Sequence, residues 1–159
     1  MTVTRDDWML TWVSLIHAAT HFRAGLEKRF QEEFGFGLSE QDLMKQLKMN
    51  DGQLRLNELG DRIYFSKAGI TKMLDRLEKA DLVKREPLPG ARRAMTARLT
   101  EHGEAVFKRS RITLADYVRR VLRDPLSDQA ILSLQSGLTS LLDAHDLLDG
   151  QARHLRGDP

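Results

Sequence analysis

Apolar residues recur every three or four positions through most of this chain, a spacing that places them on one face of a helix. Over residues 6–34 the stripe is Trp8, Trp12, Leu15, Ile16, Ala19, Phe22, Leu26, Phe30 and Phe34. It predicts one amphipathic helix, capped by Asp6 or Asp7 and stopped by Gly35-Phe36-Gly37. Such a helix, roughly 28 residues, is about 40 Å long. One small lobe cannot cover so long a stripe, so part of it is expected to pack against another subunit. A second helix is predicted from Leu38-Ser39, with Ser39 and Asp42 set as a capping box and Leu43, Met44 and Leu47 facing inward. Met49-Asn50-Asp51-Gly52 reads as a turn.

Gln53-Leu54-Arg55-Leu56 reads as a short extended piece, residues 57–62 as a brief helix with Leu59 inside, and Tyr64-Phe65 as a tight connection. Residues 66–82, SKAGITKMLDRLEKADL, predict the next helix. Ser66 suits its N-cap, because the hydroxyl accepts from a backbone N–H that the first turn leaves unpaired. Ile70, Met73, Leu74 and Leu77 share one face; Lys67, Thr71, Lys72, Asp75, Arg76 and Lys79 occupy the other. A short helix, a tight turn and a second helix make the helix-turn-helix arrangement. The small, basic first turn Lys67-Ala68-Gly69 suits close approach to a negatively charged groove.

After Leu82 the period changes from helical to alternating. Val83-Lys84-Arg85-Glu86 and residues 92–99 predict the two strands of a hairpin, with Pro87-Leu88-Pro89-Gly90-Ala91 as its turn. Placed after a recognition helix and tipped by Arg92 and Arg93, this hairpin is a wing. Thr100 caps a further long helix carrying Val106, Phe107, Leu114, Tyr117 or Val118, and Val121, which is expected to run to about Arg123. Asp124-Pro125-Leu126-Ser127 breaks it. Ser127 or Asp128 caps the last helix, whose stripe is Ile131, Leu134, Leu138, Leu141, Leu142 and Leu148. The polar tail, residues 151–159, is expected to be flexible.

The chain has 159 residues, room for one domain with an appended dimer-forming part. Its net charge of +2 says little, but the charges are segregated. Between Arg62 and Arg98 ten basic residues face four acidic ones, the footprint expected of a nucleic-acid-binding surface. With no cysteine, disulfides, thiolate metal sites and thiol redox switches are excluded. No apolar run approaches a membrane span and the start lacks the pattern of a signal peptide, so a cytoplasmic protein without a membrane partner is expected.

Candidate DNA-binding residues are Ser66, Lys67, Gly69, Thr71, Lys72 and Arg76 on the recognition helix and Arg92 and Arg93 on the wing. Ser66 and the helix N-terminus suit a phosphate, and a guanidinium from the wing suits a narrow minor groove. Arg76 has a competing structural reading, as the partner of an acidic neighbour. His17 and His21 lie four apart, a spacing that can share a metal, but no third ligand is evident and no metal is expected. With Trp12 and Phe22 they are instead assigned to the walls of a small-molecule effector pocket, apolar with a few polar groups, as a small aromatic acid requires. No catalytic motif and no phosphate-binding Gly-rich loop is present, so neither an enzyme nor a cofactor is expected.

The words LNELGDRI, SKAGITKMLDRLEKADLVKRE and ARLTEHGEAVF, with the paired arginines between the strands, resemble the MarR (multiple antibiotic resistance regulator) family. The resemblance covers nearly all of the chain and is tightest over residues 54–107. It implies a mostly α fold: a winged helix-turn-helix lobe over residues 38–103, with long N- and C-terminal helices, 1–37 and 104–150, forming a dimerisation region. It further implies a homodimer on a pseudo-palindromic double-stranded operator, acting as a repressor that a small aromatic or phenolic ligand releases. The alternative is a winged-helix module that binds protein without DNA. Two residues depart from the family pattern. Gly69 stands where Ser or Thr is common, and Ala91 where the wing usually has an Asp that orients its arginine. Ala91→Asp is therefore expected to tighten DNA binding, and titrations at matched salt check it: unchanged affinity would show that Arg93 needs no such support.

Overall fold

A computed structural model of the chain describes residues 2–50, 53–55, 59, 66–87 and 95–145. It is mostly helical, with one small antiparallel sheet. The chain divides into two units, Met1–Ala115 and Asp116–Pro159.

The first unit opens with α1 (Arg5–Phe34). Its cap is Thr4 and not Asp6 or Asp7: Asp7 N–H donates to Thr4 Oγ1 (3.4 Å), and the Asp7 carboxylate accepts Thr4 N–H in return (2.9 Å). Asp7 thus plays the N3 role of a capping box, and Thr4 the N-cap role. The Thr4 hydroxyl also donates to the Asp7 carboxylate (2.6 Å), and this bond first, with the Thr4 N–H second, holds the Asp7 carboxyl below the usual carboxylate range. Gly35 ends the helix at φ 72°, a left-handed conformation that glycine adopts without a Cβ penalty. The reversal brings Phe36 back against Phe34 (5.5 Å, stacked) and Phe30 (6.1 Å, edge-on).

Helix α2 (Leu38–Met49) begins at Gly37, and the expected box of Ser39 and Asp42 is not its cap. Glu40 instead accepts Gly37 N–H (3.2 Å), and Glu27 from α1 accepts Leu38 N–H (3.0 Å). Leu43, Met44 and Leu47 are fully buried, as the helical spacing predicts. Three strands follow the order β1-β3-β2: β1 (Gln53–Arg55), β2 (Val83–Pro87) and β3 (Met95–Leu99). Both pairings are antiparallel, with Leu54 opposite Ala97 and Arg85 opposite Ala97 from the other side. The piece read as merely extended is therefore a third strand added to the hairpin. Pro87, which has no N–H to give, sits at the end of an edge strand. Of the short helix expected over 57–62, only Leu59 lies among the described residues; it is helical and fully buried.

Helix α3 (Lys67–Lys79) is shorter than the sequence suggests. Asp81 adopts φ 54°, Leu82 N–H donates to Leu77 O (2.8 Å) and Asp81 N–H to Glu78 O (3.0 Å). This is a Schellman termination with Asp in the place glycine usually takes, and Leu77 and Leu82, both buried, make its apolar contact. Helix α4 (Glu101–Val118) is capped by Thr100, whose Oγ1 accepts Gly103 N–H (2.8 Å) and donates to Asp81 O (2.6 Å). Its inner face holds Val106 and Phe107 as expected, but also Ser110 and Thr113. Thr113 donates to the Glu33 carboxylate (3.0 Å); Ser110 Oγ lies 2.9 Å from the Gln41 side-chain amide. These buried hydroxyls tie α4 to α1 and α2.

The helix that begins at Glu101 reaches Arg123 as the sequence predicts, but its regular α-helical part ends at Val118. Arg119–Arg123 forms a wider π-type turn, closed by Asp124 N–H to Arg119 O (2.9 Å). Helix α5 (Asp128–Ala144) follows, with Ser127 as cap. None of its residues is buried, and Leu134 and Leu141 from its predicted stripe are exposed. Leu148 and the tail lie outside the described residues.

Candidate nucleic-acid interface

Helix α3 carries its apolar face into the first unit and leaves the rest outside. Ile70, Met73, Leu74 and Leu77 are buried. Ala68, Lys72, Arg76 and Lys79 are exposed, and Thr71 is exposed beside them. Ser66 caps the helix by accepting Gly69 N–H (3.2 Å), and no acidic residue occupies the first turn. The N-terminal turn therefore presents backbone N–H groups and the positive end of the helix dipole without a carboxylate to cancel them, a combination that favours a phosphate. Lys67 opens this turn.

Two carboxylates on the same helix, Asp75 and Glu78, would repel a phosphate backbone. Both are engaged by Arg85 from β2. Its Nε donates to Glu78 (3.0 Å), its Nη2 to Asp75 (2.7 Å), and its backbone N–H to Glu78 (3.2 Å). The clamp offsets much of the local negative charge of these two carboxylates and ties the helix to β2. Sequence reading missed it, because three charges ten positions apart meet only when β2 folds back along α3. The Arg85 side chain and backbone N–H hold the Glu78 carboxyl below the usual glutamate range. A carboxyl whose pKa is lowered by folding stabilises the fold above its unfolded value and loses that contribution as pH falls through the lower, folded value. Arg85→Ala is expected to lower stability by about 1–2 kcal/mol, since charged hydrogen bonds are involved but the partners are partly solvated. It is also expected to flatten the loss of stability below about pH 4.5, measured by thermal melts from pH 7 to 3; an acid limb as steep as wild type would count against the clamp.

Arg76 Nη2 pairs with Glu40 of α2, the structural alternative named for it from sequence. Arg92, Arg93 and Ala91 lie outside the described residues. Of the four residues assigned to an effector pocket, Trp12, His17 and His21 are exposed and Phe22 is half-buried. His21 stands edge-on to Phe22 at 6.1 Å. By helical spacing His17 and His21 share a face of α1 that Trp12 does not. A cleft of about 340 Å³ opens elsewhere in the same unit. Arg23 of α1 and Leu114 of α4 line it, with Leu38, Ser39, Gln41, Asp42 and Lys45 of α2. None of the four belongs to it. Arg23, one helical turn beyond Ala19 on the apolar stripe, is the signal that sequence reading passed over. Among the described residues no group of three or more His, Asp or Glu is placed to hold a metal ion, and no helix is long and apolar enough to cross a membrane.

The sequence model of the MarR family matches residues 35–94, from the end of α1 through the wing. Over 59 residues the chain is 34% identical to YfiV of Bacillus subtilis, described as an uncharacterised HTH-type transcriptional regulator, and the match spans 37% of each protein. Two solved structures from Streptomyces coelicolor are similar over almost the whole chain. Sco3205, a MarR family transcriptional regulator solved in complex with DNA, is 28% identical, with TM-score 0.76 and 96% of this chain and 94% of that one covered. AbsC, another MarR family transcriptional regulator, is 28% identical, with TM-score 0.72 and 99% of both chains covered. The capped basic helix, the three-stranded sheet and these likenesses agree: residues 35–94 match the MarR family, and the chain has the winged helix-turn-helix fold of the MarR family regulators it resembles.

Proposed function

We propose that this protein is a homodimeric, sequence-specific DNA-binding transcription regulator, a repressor that a small ligand releases. The observation that carries the DNA reading is the outer face of α3, capped by Ser66, free of acid in its first turn and lined by Thr71 and Lys72. The solved complex of Sco3205 with DNA supports it by likeness. The competing protein-binding reading would favour an apolar outer face, and Ala68, Lys72, Asp75, Arg76 and Lys79 do not make one. The wing arginines Arg92 and Arg93 complete the reading as minor-groove contacts.

Dimerisation is supported by one stripe of α1 with two fates. Leu26 and Phe30 on that stripe are buried within the chain, while Trp8 and Trp12 further up the same stripe are 54% and 58% exposed. Burying what remains of each indole contributes about 2–3 kcal/mol, so a second copy of the helix is a natural cover. A ligand response is supported by the cleft against α2, where Arg23 and Lys45 suit an anionic group beside the apolar Leu38 and Leu114.

A mobility-shift experiment on DNA from upstream of the protein's own gene tests the reading. A retarded complex at low salt that resists unlabelled random competitor is expected; the lack of any shift at low salt would remove DNA binding. Lys72→Ala is expected to weaken binding to all sequences and to reduce the salt slope by about one unit if Lys72 meets a phosphate. A changed sequence preference with an unchanged slope would place it on a base edge.

A further inference from the structure

The first turn of α2 faces two ways. Leu38, Ser39, Gln41 and Asp42 form one wall of the cleft. Glu40, in the middle of that run, does not line the cleft. Its side chain is only 7% exposed; one oxygen accepts Gly37 N–H (3.2 Å) and the other pairs with Arg76 of α3. On the α1 side, Glu27 accepts Leu38 N–H (3.0 Å). The approach is so close that a Cβ on Gly37 would lie 2.0 Å from Glu27 Oε1. The turn is thus held by α1 on one side and by the recognition helix on the other, with the cleft against it.

We propose that the Glu40–Arg76 pair is the positioning link through which an occupant of the cleft moves the recognition helix. An occupant that displaces the turn carried by Leu38 and Ser39 must displace Glu40, because Glu40 is bonded to the same turn through Gly37. A carboxylate this buried cannot give up its guanidinium for water without a large desolvation cost. The displacement therefore passes to Arg76 and tilts α3. Arg76 acts through Glu40 and not as a phosphate contact. The inference rests on the ligand-responsive DNA-binding reading above.

The lack of cysteine provides the test. Ser39→Cys puts a single thiol on the cleft wall, and a benzyl methanethiosulfonate makes a covalent occupant of defined size, with labelling verified by mass. Ser39→Cys, Ser39→Cys/Glu40→Gln and Ser39→Cys/Arg76→Gln are compared labelled and unlabelled. Fluorescence anisotropy on the upstream DNA and hydrogen exchange over residues 67–79 are the two readouts. Labelling is expected to weaken DNA binding of the single variant about tenfold and to change exchange in α3, with less than twofold change in either double variant. The Gln at position 40 still accepts Gly37 N–H but carries no charge, and Arg76 is mostly exposed, so one of the two doubles keeps the fold if the other does not. An equal effect of the label in all three, or none in the fully labelled single variant, would overturn the link. A wild-type protein that does not bind DNA would overturn the DNA reading alone, since exchange in α3 still reports the coupling.

Discussion

Gly103→Ala is expected to lower stability by about 3 kcal/mol or more, because overpacking here cannot be relieved by a side-chain rotation. The new Cβ would lie 1.8 Å from Leu82 O and 2.7 Å from Leu82 C, both backbone atoms. Something in the backbone must move, and both candidates are committed. Leu82 closes the termination of α3, and its carbonyl accepts Thr100 N–H (3.1 Å). Thr100 caps α4 and also holds Asp81 O. Separating them by the ångström or more required breaks bonds on both sides of the contact. For a chain of this length the loss corresponds to a fall of about 6–12 °C in melting temperature. DNA affinity should fall with it, since the shift tilts α3 against β2. A melting temperature within about 2 °C of wild type in a calorimetric scan would mean that this close approach is not present in solution.

Trp12→Glu is expected to separate the proposed dimer and to lower operator affinity by at least about 100-fold, because each subunit would bury a charge without a partner at the interface. The indole is exposed in the single chain, so the monomer itself has no reason to unfold. Light scattering at micromolar concentration, read with circular dichroism, separates the two effects. A folded monomer with weak DNA binding is the expected outcome. A variant that remains a dimer would move the interface away from this end of α1.

The two variants depend on different kinds of information. The stripe that ends in Trp8 and Trp12 is legible in the sequence, since helical spacing alone puts them in line with Leu26 and Phe30. The same spacing located α2 and α3 with their buried faces and α5 as a helix, and the change to alternation after Leu82 located β2 and β3. Ser66 and Thr100 were readable as caps because a hydroxyl at that place has a local task. Where a cap was misread, the competing residue was also local: Thr4 lies two or three positions from Asp6 and Asp7, Glu40 one or two from Ser39 and Asp42, and propensity does not choose between them.

Other features join residues that are distant in sequence. Arg85 reaches Asp75 and Glu78 only because β2 runs back along α3. Ser110 and Gln41 are 69 positions apart, and Thr113 and Glu33 are 80 apart. β1 pairs with β3 across the whole helix-turn-helix segment. The cleft belongs to this class too: its walls come from α1, α2 and α4, which is why the aromatic and histidine residues selected from α1 alone do not line it.

By itself, then, the sequence determined the helices and strands, their order, the basic outer face of α3 and the resemblance to the MarR family, because periodicity, caps and charge segregation act within a few residues of one another. Only the tertiary structure decided which charges neutralise each other, where the cleft opens and how closely α4 approaches the end of α3. Those depend on distances between elements, and no local pattern in the chain encodes such a distance.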